Sequence, residues 1–258
     1  MIDLHLHLLH STDDGALHLD QAVRMAKLAA ADGCAVLVAT PHQRRDEWET
    51  ADPKRLSDRL AEIEARVGGA IELRLGAEVR VDSDLFADLD HRERSGVLSL
   101  AGSRYMLLEL DPEGVGPDPV EIVQELRERG LTPIFAHAEL IPFLWDPEEA
   151  WFPRLREAGA LTQVTAMSVT GEFGRGPRER AWELLRDGAA QFVASDAHRD
   201  DWRPPGLSRA RGLISTALGE AAAAAVTDAN PRAVIEDRPL PRAILSISDP
   251  RQERRARG

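Results

Sequence analysis

The stretch Met1-Ile-Asp-Leu-His-Leu-His-Leu-Leu-His-Ser-Thr-Asp-Asp-Gly15 decides how the rest of the chain is read. Ile2, Leu4 and Leu6 alternate with Asp3, His5 and His7, a period of two that predicts a β-strand. Residues two apart on a strand share a face, so Asp3, His5 and His7 are expected to line one side, with Asp13 and Asp14 following in the loop. Two imidazoles about 6–7 Å apart along a strand, by its rise per residue, can converge on one ion. A half-buried strand whose histidines are merely hydrogen-bonded is the plainer alternative. Only ligands supplied elsewhere in the chain can displace it.

Working outward, residues 20–31 carry Ala22, Val23, Met25, Ala26, Leu28 and Ala29 at helical spacing, closed by Asp32-Gly33. Residues 34–40 (CAVLVAT) are a continuous apolar run, the mark of a strand buried on both faces, and end at Pro41-His42. The alternation then repeats. Strands are expected over 71–75, ending at Gly76-Ala-Glu78, and over 105–110, with Glu109. Further strands are expected over 133–136, ending at His137, over 161–166, and over 191–195, ending at Asp196-Ala-His198. Helices are expected over 53–67, 84–92, 120–129, 148–158, 178–187, 208–218 and 220–227, with a loop over 168–176. About seven strands alternating with helices imply a parallel sheet. Periodicity leaves open whether it is a doubly wound sheet or a barrel short of eight strands. No break in composition marks a second domain, so one domain over 1–248 is expected, with 249–258 a charged, disordered tail.

Composition narrows the class. A chain of 258 residues suits a single α/β barrel, and 43% hydrophobic residues suffice for a core. A formal charge of −12 argues against sequence-independent nucleic-acid binding. The single Cys34 excludes an intrachain disulfide and fits a reducing compartment. No apolar run reaches membrane-spanning length, and a strand beginning at residue 2 leaves no room for a signal peptide. The expectation is a cytoplasmic protein.

The polar residues fall in one place. His5 and His7, His42, Glu78, Glu109, His137 with Glu139, and Asp196 with His198 all stand at C-terminal strand ends. In a parallel barrel those ends form one rim, where active sites sit. Histidines mixed with carboxylates, and no usable thiolate, fit manganese, zinc or iron. The ligands are too many for one ion, so a cluster of two or three is implied, with Glu78 a plausible bridge. Such a cluster suits displacement at phosphorus. Arg44, Arg45 and Arg203, in loops after rim strands, could clamp phosphate. A cysteine phosphatase is excluded, because six residues after Cys34 stands Thr40 where Cys-x5-Arg needs arginine. Walker, GxGxxG and GxSxG motifs are absent.

These residues resemble the polymerase-and-histidinol-phosphatase superfamily, and within it the manganese-dependent tyrosine phosphatases of bacterial capsular and exopolysaccharide operons. The likeness runs through Thr40-Pro-His42, Gly76-Ala-Glu78, Arg104-Tyr-Met-Leu-Leu-Glu109, Ala136-His-Ala-Glu139, Gly171-Glu-Phe-Gly174, Ala194-Ser-Asp-Ala-His198, Arg203-Pro-Pro205 and Asn230-Pro-Arg232, over about residues 1–235. The resemblance implies a distorted seven-stranded (βα) TIM-like barrel with a trinuclear rim site, manganese first and zinc or iron as alternatives. By position, His5, His7, Glu78 and Asp196 would hold one metal. Glu78, Glu109 and His137 would hold the second, and Asp14, His42 and His198 the third. A metal-bound hydroxide would attack phosphorus, and Arg203 would bind phosphate oxygens. Tyrosinate is a good leaving group, its phenol having a pKa near 10. A metal-bound water or His42 would give what acid help it needs. The expected partner is a phosphotyrosine protein, such as a tyrosine kinase of a polysaccharide operon. One departure matters: the family's His-x-Glu-Arg reads His137-Ala-Glu139-Leu140 here. Arg44 or Arg45 would compensate, or the substrate would be histidinol phosphate or another small phosphate ester. His10, His18 and His91 match no ligand position and are read as ordinary loop or surface histidines. Trp48 and Trp202 either cover an aromatic ring or pack their loops.

Overall fold

Nine short strands, all paired in parallel, carry the described part of the chain. They are β1 (Ile2–Leu6), β2 (Val36–Ala39), β3 (His42–Gln43), β4 (Glu72–Leu75), β5 (Glu78–Arg80), β6 (Tyr105–Glu109), β7 (Thr132–Phe135), β8 (Leu161–Thr165) and β9 (Phe192–Ala194). The computed structural model describes residues 1–45, 47–48, 52–91 and 95–241. The tail expected over 249–258 lies outside the described residues. The pairing orders are β1-β2-β4 and β3-β5-β6-β7-β8-β9. A parallel bridge from Leu6 to Ala197 brings the end of β1 against the residues after β9. The result is a curled parallel sheet with helices outside it. Its breaks have local causes. Pro41 has no N–H to give a ladder, and Gly76 packs so closely that an added Cβ would lie 3.1 Å from Leu100 and Val38 side-chain atoms.

Apolar side chains sort into an inner set and two outer sets. Ile2, Leu4, Val38, Leu107, Ile134 and Phe192 meet one another from five strands across the inside of the curl. One outer set packs the sheet against the helices Leu19–Ala31, Pro53–Val67, Arg175–Arg186 and Ser208–Leu218. The other packs it against Leu85–Asp90, Pro119–Glu128 and Trp151–Ala158. Each helix buries one apolar stripe, as the 3.6-residue period requires. Pro53 and Pro119 open their helices at the first turn, where no N–H is needed.

Three local expectations are corrected. The alternation in β1 is not regular: its register with β2 shifts between Asp3 and Leu6. Leu4 therefore joins the inner core while Leu6 packs outward, and Asp3 accepts from the Ser195 N–H at 3.0 Å. The expected loop over 168–176 holds a short helix, Ala166–Thr170, with the Thr165 side chain accepting from the Ser168 N–H, and Gly174 begins the next helix at Arg175. The expected helix over 220–227 is Glu220–Ala224 followed by a π-type turn, Ala225–Ala229.

Candidate metal centre

The C-terminal ends of the strands bring histidines and carboxylates into one buried cluster. His5 and His7, both fully buried, have ring centroids 5.4 Å apart. His7 Nδ1 donates to Asp13 Oδ2 at 2.8 Å, and His5 Nδ1 donates to Gln163 Oε1 at 3.0 Å. Those bonds fix each ring with its Nε2 turned to the same two carboxylates. His5 Nε2 lies 3.5 Å from Glu78 Oε2 and 3.3 Å from Asp196 Oδ1, and His7 Nε2 lies 3.5 and 3.4 Å from the same atoms. Neither Nε2, nor Glu78 Oε2, has a hydrogen-bond partner. Buried polar atoms are ordinarily paired, at a cost of about 1–3 kcal/mol when they are not. Donor atoms that face one another without bonding are what a shared cation needs, and the Nδ1 partners are the usual outer support of metal-bound imidazole.

Three groups of side chains have donor atoms within 4.8 Å of one another: His5, His7 and Asp196; His7, Asp14, His42 and His198; and His42, Glu78 and Glu109. His137 stands beside the third group, its Nε2 donating to Glu78 Oε1 at 2.8 Å. All the ligand candidates are thus together, although His42 rather than His137 completes the group at Glu109. His198 donates from Nδ1 to the Asp196 backbone carbonyl at 3.0 Å and turns Nε2 toward Asp14, 3.5 Å away.

The electrostatics are those of an anionic cage. Burial lowers the pKa of His5, but Asp196 and Glu78 beside it outweigh that and raise it. The same contest lifts His7 well above its usual value through Asp13, and lifts His137 to about 9 through Glu78. Burial pushes the carboxyls of Glu78 and Asp196 up, yet the surrounding histidines hold both well below the usual carboxylate range. The raised imidazoles of His5, His7 and His137 and the lowered carboxyls of Glu78 and Asp196 are two sides of the same buried attractions.

The backbone is strained at the same rim. His137, Asp196 and Arg203 have φ of 34°, 50° and 55°, in the left-handed region that costs side-chain-bearing residues about 1–3 kcal/mol each. Gly15 is required by closeness alone, since a Cβ there would lie 2.1 Å from the His7 carbonyl oxygen. This lets the Asp13-Asp14 loop fold back onto β1.

The arginines divide. Arg203 pairs with Asp196, and Arg45 donates from Nε to Glu109 Oε2 at 2.8 Å. Arg44 reaches away from the ligand groups to Asp82, at 2.5 Å, and Asp88. Arg80, which the sequence reading does not name, joins this corner: its Nη1 lies 3.6 Å from Glu109 Oε2. Its position two residues after Glu78 was the available signal, because both share a strand face. Gln163 and Asp13 also had no marked role. Glu139, grouped with His137 from the sequence, faces elsewhere: its Oε1 accepts from the Thr165 N–H at 2.9 Å and hydroxyl at 2.7 Å. His10 is a loop residue, as its position suggests. It is buried under the Pro53–Val67 helix, between Arg59 and Glu62. His18 accepts from the Gln21 N–H at the start of the first helix, and His91 is exposed. Trp48 stacks on His42, with centroids 5.0 Å apart and planes 6° from parallel. Trp202 meets His198 edge-on at 5.5 Å.

A family model described as capsular polysaccharide synthesis, CpsB/CapC, matches residues 1–236. The tyrosine-protein phosphatase YwqE of Bacillus subtilis is 30% identical over 77% of this chain and 77% of its own length. The tyrosine-protein phosphatase CpsB of Streptococcus pneumoniae is 28% identical over 92% of this chain and 99% of its own. A solved structure from work on YwqE and CpsB, described there as unique metal-dependent tyrosine phosphatases, aligns with a TM-score of 0.85 at 25% identity. It covers 93% of this chain and 96% of that one. Among the described residues, no helix is long and apolar enough to cross a membrane.

Proposed function

Because the chain belongs to the capsular polysaccharide synthesis family CpsB/CapC, we propose that it is a metal-dependent phosphomonoesterase, a protein-tyrosine phosphatase working at a trinuclear site. The observation that carries this reading is the set of unpartnered, buried donor atoms on His5, His7, Asp14, His42 and Glu78 facing one cluster. His5, His7, Glu78 and Asp196 would hold one ion, Glu78, Glu109 and His137 a second, and Asp14, His42 and His198 a third. Three divalent ions, manganese above all, would supply a hydroxide nucleophile near neutral pH and neutralise the phosphoryl oxygens. The chain's own part is to orient and to bind. Asp13 and Gln163 hold the imidazoles of His7 and His5 in the ligating tautomer. Arg203 and Arg45, now on ligand carboxylates, are the guanidinium groups that would turn to phosphate oxygens. Trp48 and Trp202 flank the Asp14 group on two sides and suit an aromatic leaving group.

The sheet is read here as the seven-stranded barrel of this family, in one domain. Two observations support it. β2 continues into β3 across Thr40-Pro41, and β4 into β5 across Gly76-Ala77, while the Leu6–Ala197 bridge joins the last strand to the first.

Leu140, half-buried where the family carries arginine, favours a second reading, a small-molecule phosphatase of the histidinol-phosphate type. Comparing kcat/KM for a phosphotyrosyl peptide and histidinol phosphate separates them. The phosphatase of proteins is expected to prefer the peptide, and preference for histidinol phosphate would overturn that assignment. The substrate protein is expected to be a phosphotyrosine-bearing partner in polysaccharide synthesis, such as a tyrosine kinase.

A further inference from the structure

At the opposite end of the sheet, beneath the N-terminal ends of β6 to β9, lies a cavity of about 480 Å³. Its walls are largely apolar, with Leu161, Leu185, Ile214, Leu218, Val226 and Leu240 contributing. The polar groups inside are already satisfied. Tyr105 donates its hydroxyl proton to the Arg238 carbonyl at 2.7 Å, and Asn230 Nδ2 donates to the Gln191 carbonyl at 2.9 Å. Gln191 donates from Nε2 to the Gly188 carbonyl at 3.0 Å and accepts from the Thr162 N–H at 2.9 Å. Nothing inside asks for a polar ligand, so what fits is an apolar body.

The mouth differs. Three arginines line it, and only Arg104 is neutralised, by Asp237 at 2.9 Å. Arg127 is exposed and donates only to the Thr132 hydroxyl, at 3.1 Å, and Arg156 is exposed too. Neither has a carboxylate partner among the described residues. In a chain of net charge −12, these two guanidinium groups stand beside an apolar cavity with no carboxylate of their own among the described residues. They complement a single anionic head.

We propose that this cavity is a binding site for a free single-chain amphiphile, its alkyl body inside and its carboxylate or phosphate monoester head at Arg127 and Arg156. The site is separate from the metal cluster and does not depend on how that cluster works. Burial of the chain supplies most of the affinity, and the two arginines supply the preference for an anion.

The test is calorimetric titration of the full chain with decanoate and decyl phosphate below their micelle concentrations and decanol below its solubility limit. Saturable one-to-one binding of both anions is expected, with decanol weaker. The double variant Arg127→Gln/Arg156→Gln, on exposed residues, should weaken the anions about tenfold and leave decanol unchanged. Ala222→Phe, which narrows the cavity, should remove binding of all three, with far-UV circular dichroism checking its fold. Absence of saturable binding would overturn the proposal, as would anion affinity indifferent to the arginines. So would co-sedimentation with phosphatidylglycerol vesicles without binding of free decanoate, because that would make the face a membrane contact.

Discussion

The two ends of one sheet are built to opposite rules. At the N-terminal end, the buried hydroxyl of Tyr105 and the amides of Gln191 and Asn230 each have their partners, and apolar side chains do the rest. At the C-terminal end, buried imidazoles and carboxylates face one another unbonded. Both ends rest on the same strands, so the difference is not one of scaffold. Unpaired buried polar atoms are tolerated where a bound cation would use them, and the packed core between the ends stabilises them.

Breaking the polar end should cost activity first. His5→Ala or Asp196→Ala is expected to lower aryl phosphate hydrolysis about a thousandfold or more, the several kcal/mol that metal-assisted charge stabilisation supplies. Steady-state kinetics beside a melting curve checks this, and the fold should survive. Gln163→Ala should act one step removed. Loss of the His5 Nδ1 partner is expected to weaken metal affinity by about 10–100-fold while saturating metal restores much of the rate. A metal titration of activity would reveal a purely structural role if only the melting temperature moved.

A subtler prediction concerns Asp3, fully buried beneath the cluster. Burial raises its pKa from 3.8 to about 6, partly opposed by the Ser195 N–H. A carboxyl with a raised folded pKa helps folding most when protonated, and that benefit is lost as pH rises through about 6. In chelated protein, Asp3→Asn should therefore gain stability relative to the parent between pH 4 and 7, on the order of 1–3 kcal/mol. Melting temperatures across that range decide it, and a difference flat with pH would show that Asp3 does not titrate there. The smallest effect belongs to the satisfied end. Tyr105→Phe removes one hydrogen bond and should cost about 1 kcal/mol of stability with hydrolysis unchanged.

Much of this polar end was legible because metal-competent residues fall at strand ends, and strand ends are marked by apolar runs stopping at His42, His137 and Asp196. The supporting residues were hidden. Gln163 sits mid-strand, and Asp13 is one of two adjacent aspartates, so only the fold tells which carboxylate turns to His7. Arg44 and Arg45 are likewise adjacent and indistinguishable by type, yet one reaches Glu109 and the other Asp82. His10 is legible as a loop residue, but not as a buried one, because its burial depends on a helix some fifty positions later, with Glu62 as its partner. The register shift in β1 left no trace in an alternating pattern, because Leu4 and Leu6 are both buried, one on each side of the sheet.

On the proposed function, the C-terminal cluster works by holding divalent cations. The direct measurement is p-nitrophenyl phosphate hydrolysis by protein stripped with chelator, with its metal content verified, then titrated with manganese. Hydrolysis is expected to vanish on stripping and to return saturably as manganese is added. Hydrolysis that persists at full rate in the stripped protein would contradict the claim.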